Sequence, residues 1–147
     1  MKKTFAIATL AAATLMGAVS FASAQDLPSV EDTYKDIEAT FGVVPGHFKS
    51  YPPTGVAGAW AMTKGLVVDP ANKLEPKVKS LIGLAVAAQI PCQYCIWLET
   101  KFAKVAGATD EEVAEAVAQA AYVRHWSTYL NGMQVDFETF KTEFGGD

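Results

Sequence analysis

The sequence has few cysteines, few histidines and no excess of positive charge. It contains two cysteines and two histidines among 147 residues, and 12 basic residues are outnumbered by 16 acidic ones. Nucleic acid is therefore not an expected partner, because contact with phosphates needs a clustered basic surface. A structural zinc site is not expected either, since such a site usually shows a second short-spaced pair of ligands.

The one long run of uncharged apolar residues lies at the N-terminus. Two lysines precede it, residues 5–19 form it, and the small-x-small motif Ala22-Ser23-Ala24 follows it. This order predicts a secretory signal peptide over residues 1–24, cleaved after Ala24. The run is nearly long enough to cross a bilayer, so an uncleaved anchor is the alternative. Cleavage is favoured because no basic stop-transfer flank follows the run.

Cleavage after residue 24 would leave 123 of the 147 residues. This length suffices for one domain with a core of its own, and we assign residues 25–147 to a single domain. Loss of the two leading lysines leaves 10 basic residues against 16 acidic ones, a net charge of −6. We expect the mature chain in the periplasm or outside the cell, without a stable membrane span, where disulfides persist.

The remaining sequence has helical periodicity, with no alternating strand pattern and no internal repeat. Glycine or proline separates the segments, and Thr109 with Glu112 matches a capping box. The segment 77–89 is apolar on most faces, which indicates a buried core helix. We predict an all-α fold with a turn-rich joint at 41–53 and helices at residues 30–41, 55–68, 77–89, 92–106, 109–131 and 135–144.

The two cysteines, Cys92 and Cys95, stand three positions apart in the segment IPCQYCIWLET, residues 90–100. On one helical turn their Cα atoms would lie roughly 5 Å apart, a distance that a disulfide allows. As a structural bond it would stabilise little, because it closes a short loop that helix hydrogen bonds already fix. An inert structural disulfide is therefore one of three interpretations of the pair.

The second interpretation is a metal site and the third is a redox couple. A metal site would need two further ligands, for which the chemically suited side chains are Glu99, His47 and His125. A redox couple is favoured because Pro91 marks the start of a helix. Cys92 would then lie among unpaired N–H groups at the positive end of the helix dipole, which favours the thiolate there more than at Cys95.

The stretch LEPKVKSLIGLAVAAQIPCQYCIWLETKFAKVAGATDEEVAEAVAQAAYVRHWSTYLNG, residues 74–132, resembles the core of the carboxymuconolactone decarboxylase family, in its alkylhydroperoxidase D-like branch. The preceding FGVVPGHFKSYP is similar to the G-x-x-P segment of that family. The resemblance implies an alkylhydroperoxidase D-like helical bundle that assembles into a homo-oligomer built from trimers. It also implies that the cysteine pair reduces peroxides or exchanges disulfides, and we expect no bound cofactor or metal.

The sequence departs from the pattern of the redox-active family members at three positions. Those members have histidine where this chain has Glu99, glutamate where it has Ser80, and commonly histidine where it has Tyr94. The proton relay that the resemblance implies is therefore altered. The resemblance also makes Cys95 the attacking thiol, whereas the helix dipole favours Cys92, and the sequence leaves this choice open.

The candidate catalytic residues are Cys92, Cys95, Glu99 and His125. An ionised Glu99 one turn after Cys95 would oppose its thiolate, whereas a protonated, partly buried Glu99 could pass a proton to a leaving oxygen. His125 lies on the helix expected to pack against the cysteine helix and is a second candidate for proton transfer. A packing role beside Trp126 is the alternative for this histidine.

The sequence therefore predicts an exported thiol-disulfide oxidoreductase or peroxidase-like protein that acts on a small peroxide or on a thiol or disulfide substrate. One alternative is a catalytically silent family member, whose inert disulfide belongs to a binding or assembly module. Another is a lactone decarboxylase, which is less favoured because that reaction does not depend on a cysteine pair. The reduction potential of the pair distinguishes a working couple from an inert bond.

Overall fold

The computed structural model describes residues 27–146, and these residues form helices and no strands. The prediction of an all-α fold is confirmed. The predicted signal peptide, residues 1–24, lies outside the described residues. The α-helices are α1 Val30–Phe41, α2 Gly46–Lys49, α3 Val56–Thr63, α4 Pro76–Gln89, α5 Gln93–Val105, α6 Asp110–Gly132 and α7 Phe137–Glu143.

The chain divides into two compact units, of which the first ends at Gly58 and the second begins at Ala59. In the first unit, α1 buries Ile37 completely, as its apolar spacing predicts. The hydroxyl of Tyr34 donates a hydrogen bond to the carbonyl oxygen of Phe48 at 3.3 Å, which ties α1 to α2. Gly42 ends α1 with a φ of +76°, in the left-handed conformation that glycine adopts without strain.

In the second unit, α4 packs against both α5 and α6. Its inner face buries Leu84 and Ala87, which are 1% and 2% exposed. Its outer face leaves Ile82 and Val86 half exposed, at 50% and 55%. The prediction of a buried core helix is wrong for this outer face, because α5 and α6 cover only part of the circumference of α4.

The ends of these three helices follow the signals in the sequence. Pro76 occupies the first position of α4, where its missing N–H costs no hydrogen bond. Gly107, with a φ of +87°, follows the end of α5. Thr109 and Glu112 form the predicted capping box, with hydrogen bonds of 2.8 and 3.1 Å between the side chain of each and the backbone N–H of the other.

Two segments differ from the sequence prediction. The turn-rich joint contains the short helix α2, and the helix predicted over residues 55–68 becomes α3 followed by a π-helical turn, Lys64–Val68. The side-chain amide of Asn72 donates to the carbonyl oxygens of Gly65 and Asp69 at 2.9 and 2.8 Å, so a residue beyond the turn adds hydrogen bonds to one of its carbonyl groups and to the residue that follows it. Over residues 27–146, no helix has the length and apolar character that crossing a membrane requires.

Candidate functional site

The cysteine pair lies at the start of α5 and is joined by a disulfide bond. The Cα atoms of Cys92 and Cys95 are 5.3 Å apart, in agreement with the spacing expected for one helical turn. Cys92 is the N-cap residue of α5, and its sulfur accepts a hydrogen bond from the backbone N–H of Cys95 at 3.3 Å. The Cys92 sulfur therefore lies where the helix dipole and an N–H donor both favour negative charge.

The backbone of Cys92 is fixed by both of the helices that it connects. Its N–H donates to the carbonyl oxygen of Ala87 in α4 at 3.0 Å, and its own carbonyl oxygen accepts from the N–H of Ile96 in α5 at 2.9 Å. Pro91, between the two helices, has no N–H to donate. Both cysteines are partly buried. The disulfide is thus held on a rigid frame while part of its surface remains open to a small reactant.

Glu99 follows Cys95 by one helical turn, and its carboxyl group lies against α4. The hydroxyl of Ser80 donates a hydrogen bond to this carboxyl group. The carboxyl also lies close to the backbone of Gly83, where a Cβ atom would be 2.6 Å from the Cδ atom of Glu99. Burial raises the pKa of Glu99 above its ordinary value, and the hydrogen bond from Ser80 opposes part of that increase. Glu99 is therefore partly withdrawn from water.

The contact between Ser80 and Glu99 joins two of the three positions at which the sequence departs from the redox-active pattern. Sequence reasoning noted Ser80 only as a replaced glutamate, and it gave Gly83 no role. A signal for Gly83 was present, since a glycine inside a helix costs about 1 kcal/mol relative to alanine and commonly marks a close approach. The sequence could not show that the group approaching Gly83 is a carboxyl from α5.

His125 lies on α6 and is exposed. Its ring contacts the ring of Trp126 edge-on, with centroids 5.2 Å apart. Within residues 27–146, no hydrogen bond or ring contact joins His125 to the cysteine pair. The residue before it, Arg124, donates through Nε to the side chain of Gln89 at 2.5 Å, so this part of α6 lies beside the end of α4. A proton-transfer role for His125 stays a prediction.

The described part of the chain contains no group of three or more histidine, cysteine, aspartate or glutamate side chains that could hold a metal ion. The polar groups of this part of the chain are instead the Cys95 backbone amide at the Cys92 sulfur and, one helical turn after Cys95, the Glu99 carboxyl with the Ser80 hydroxyl. These groups can donate and accept protons and stabilise a thiolate, which is the chemistry that thiol-disulfide exchange requires.

Comparison with known proteins supports the helical fold described above. The chain is 28% identical to the alkylhydroperoxidase AhpD core of Rhodospirillum rubrum, whose crystal structure superposes with a TM-score of 0.66 over 78% of this chain and 87% of that chain. It is 38% identical over 71 residues to the uncharacterized protein 4 in the cox locus of Paracoccus denitrificans. That match covers 48% of this chain and 62% of the relative, so it spans less than two thirds of the relative's length.

The family model for the carboxymuconolactone decarboxylase family matches residues 55–136, a segment that includes α4, α5 and α6. The helical fold, the structural likeness to an AhpD core and this match over more than half of the sequence lead to one conclusion. The chain belongs to the carboxymuconolactone decarboxylase family.

Proposed function

We propose that this protein is a thiol-disulfide oxidoreductase with peroxidase-like chemistry, in which Cys92 and Cys95 alternate between dithiol and disulfide. The observation that carries the proposal is the position of the disulfide at the first turn of α5, partly buried, with the Cys95 N–H donating to the Cys92 sulfur. A bond that only stabilised the fold would gain little at this place, because the helix already fixes the loop that it closes.

In the proposed oxidative half of the cycle, Cys92 attacks and Cys95 resolves. The Cys92 thiolate attacks one oxygen of a peroxide, the O–O bond breaks, and the leaving alkoxide takes a proton from water to form an alcohol. The sulfur is left as a sulfenic acid. The Cys95 thiol then loses its proton to the Glu99 carboxylate and attacks the Cys92 sulfur, hydroxide leaves and is protonated to water, and the disulfide forms.

In the proposed reductive half, an external dithiol supplies two electrons. Its thiolate attacks the Cys92 sulfur, the S–S bond breaks, and the Cys95 sulfur leaves with the bonding pair and takes the proton from Glu99. The second thiol of the reductant then resolves the mixed disulfide and frees Cys92. Glu99 returns to its carboxylate form, ready to accept a proton in the next oxidation. If a substrate disulfide replaces the peroxide as the oxidant, the reaction is thiol-disulfide exchange.

The reduction potential of the pair tests this proposal. Equilibration of the protein in thiol/disulfide buffers of graded potential, followed by counting of free thiols, is expected to give a potential above about −300 mV. The Cys92→Ser variant is the control, since its single remaining thiol cannot form the intramolecular bond. A potential far below about −300 mV would mean an inert structural bond and would favour a binding or assembly module instead.

We also propose that the protein is exported and works in the periplasm or outside the cell. Support comes from the signal-peptide pattern of residues 1–24. The mass of the protein recovered from the cell envelope or the medium is the measurement. A mature chain that begins at Gln25 would agree with export, and a chain that retains residues 1–24 inside the cell would contradict it.

The protein is further proposed to act as a homo-oligomer built from trimers. The support is a stripe of exposed apolar side chains along α4, in which Val78, Ile82, Val86 and Ile90 recur every four residues and are 40% to 63% exposed. Val123 on α6 is also 57% exposed and lines the same open groove as Val86 and Ile90. Surfaces of this kind mark sites of association.

Sedimentation at micromolar concentration is therefore expected to give a mass several times that of one chain. Val86→Lys should shift the protein toward monomer, because it places a charge within the apolar stripe. Val105→Lys is the matched control, since Val105 is 80% exposed and lies at the end of α5 rather than on α4. A wild-type protein that sediments as a monomer would rule out the oligomer.

A further inference from the structure

Two residues of α4 hold the Glu99 carboxyl in place. Ser80 is 7% exposed and donates a hydrogen bond to the carboxyl, and Gly83 leaves the space in which the carboxyl lies. Because Ser80 and Gly83 are three residues apart on one helix, they lie on the same face of α4. We propose that Ser80 and Gly83 are positioning residues, which fix the Glu99 carboxyl between α4 and α5 so that it can accept and return the proton of Cys95.

The steric part of the argument concerns Gly83. A Cβ atom at this position would lie 2.6 Å from Cδ of Glu99 and 2.9 and 3.0 Å from its two carboxyl oxygens. These distances are shorter than van der Waals contact, so a side chain at residue 83 and the present position of the carboxyl exclude each other. Alanine has a higher helix propensity than glycine, so Gly83→Ala is expected to move the carboxyl rather than to break α4.

The polar part of the argument concerns the partners of the carboxyl. The two lysines of α4, which both precede Ser80, are engaged elsewhere: Lys77 pairs with Glu112 of α6 at 2.7 Å, and Lys79 donates to two carbonyl oxygens of the π-helical turn at 3.1 and 3.3 Å. On α5, the residue of the same face one turn earlier is Cys95, whose sulfur is bound in the disulfide and carries no charge. A neutral hydroxyl, rather than a cation, therefore faces the carboxyl from α4.

The two positioning residues have opposite effects on the protonation of Glu99. Gly83 allows the carboxyl to be buried, and burial raises the pKa of Glu99. The hydrogen bond from Ser80 favours the charged form and lowers the pKa of the same group. Substitution of each residue by alanine should therefore move the titration of Glu99 in opposite directions, an outcome that general loosening of the fold does not produce.

The experiment is a titration of the Glu99 carboxyl by carbon NMR in the disulfide-bonded full-length protein. Glu99→Gln assigns the signal by removing it. Ser80→Ala is expected to shift the titration to higher pH, because the carboxyl stays buried and loses its donor. Gly83→Ala is expected to shift it to lower pH, because the carboxyl moves into water. Shifts in the same direction, or no shift in either variant, would overturn the positioning proposal.

Two controls accompany the titration. Ser80→Thr retains a hydroxyl and should keep the titration of Glu99 close to that of the wild type. Gly65→Ala adds the same methyl group to a glycine that has no atom within 4 Å of the new carbon, so it should leave Glu99 unchanged. A shift in Gly65→Ala as large as that in Gly83→Ala would show that the Gly83 effect is not local, and would overturn the proposal.

The assignment of the proton to Cys95 rests on the proposed function, and a second readout tests it separately. The rate of disulfide reduction by a small thiol, corrected for the thiolate concentration of that thiol, should fall as pH rises through the titration of Glu99. The pH at which the rate falls should be higher in Ser80→Ala and lower in Gly83→Ala than in the wild type. In Glu99→Gln the rate should not fall with pH. Opposite NMR shifts without redox turnover would contradict the proposed function alone, whereas turnover without such shifts would contradict the positioning alone.

Discussion

Replacement of either cysteine by serine is expected to reduce multi-turnover peroxide reduction to the uncatalysed rate. Chemistry at one sulfur leaves a sulfenic acid or a mixed disulfide, and only the neighbouring thiol can resolve it within the molecule. The Cα separation of 5.3 Å places that neighbour within reach without movement of the backbone. Consumption of peroxide in the presence of excess dithiol is the measurement, with Gln93→Ala, an exposed residue of the same helical turn, as the control.

The two variants should differ in a single turnover. If Cys92 is the attacking thiol, Cys95→Ser consumes one equivalent of peroxide and forms a sulfenic acid that a trapping reagent detects. Cys92→Ser then reacts much more slowly, because Cys95 lies inside the helix and lacks the N-cap position of Cys92. A rapid single turnover in Cys92→Ser would assign the attack to Cys95, and full multi-turnover activity in either variant would refute the two-thiol mechanism.

Glu99→His is expected to raise the thiolate fraction of Cys95 near neutral pH by about tenfold, the equivalent of one pKa unit. The carboxylate of Glu99 opposes a negative charge on Cys95, which lies four residues earlier on the same helix face. An imidazole at this place can accept the thiol proton and, once charged, stabilise the thiolate that remains. The partial burial of Glu99 reduces the screening of this effect by water.

Thiolate absorbance measured against pH in the Cys92→Ser background, with and without Glu99→His, tests this expectation. Lys101→His serves as the control, because Lys101 is exposed on α5 and its ammonium lies over the ring of Trp97, 5.1 Å from the centroid. Superimposable curves with and without Glu99→His would mean that Glu99 does not act on Cys95. Proton transfer would then have to use another group, and His125 is the remaining candidate.

The helices were predictable because their ends carry local chemical signals. Gly42 and Gly107 adopt positive φ angles that favour glycine, Pro76 fits the first position of α4, and the capping box of Thr109 needs only a glutamate three residues later. The spacing of the cysteines likewise fixed their distance on a helical turn. Each of these features depends on residues close together in the sequence.

The features that were not predictable depend on residues far apart in the sequence. Helical spacing shows that Glu99 shares a face with Cys95, but it does not show which helix covers that face. The close approach to Gly83 and the hydrogen bond from Ser80 depend on the packing of α5 against α4. How the outer face of α4 is covered was not predictable for a related reason, since an apolar pattern does not show whether a neighbouring helix or another molecule covers it.

The contact between Ser80 and Glu99 also links the mutational histories of the two positions. A glutamate at residue 80 would place a second carboxyl beside that of Glu99, and two carboxylates in contact that are partly withdrawn from water repel each other when both are ionised. A change at one position therefore restricts which residues the other position can accept. Among relatives of this chain, residues 80 and 99 are expected to covary, with an acidic side chain at one of the two positions and not at both.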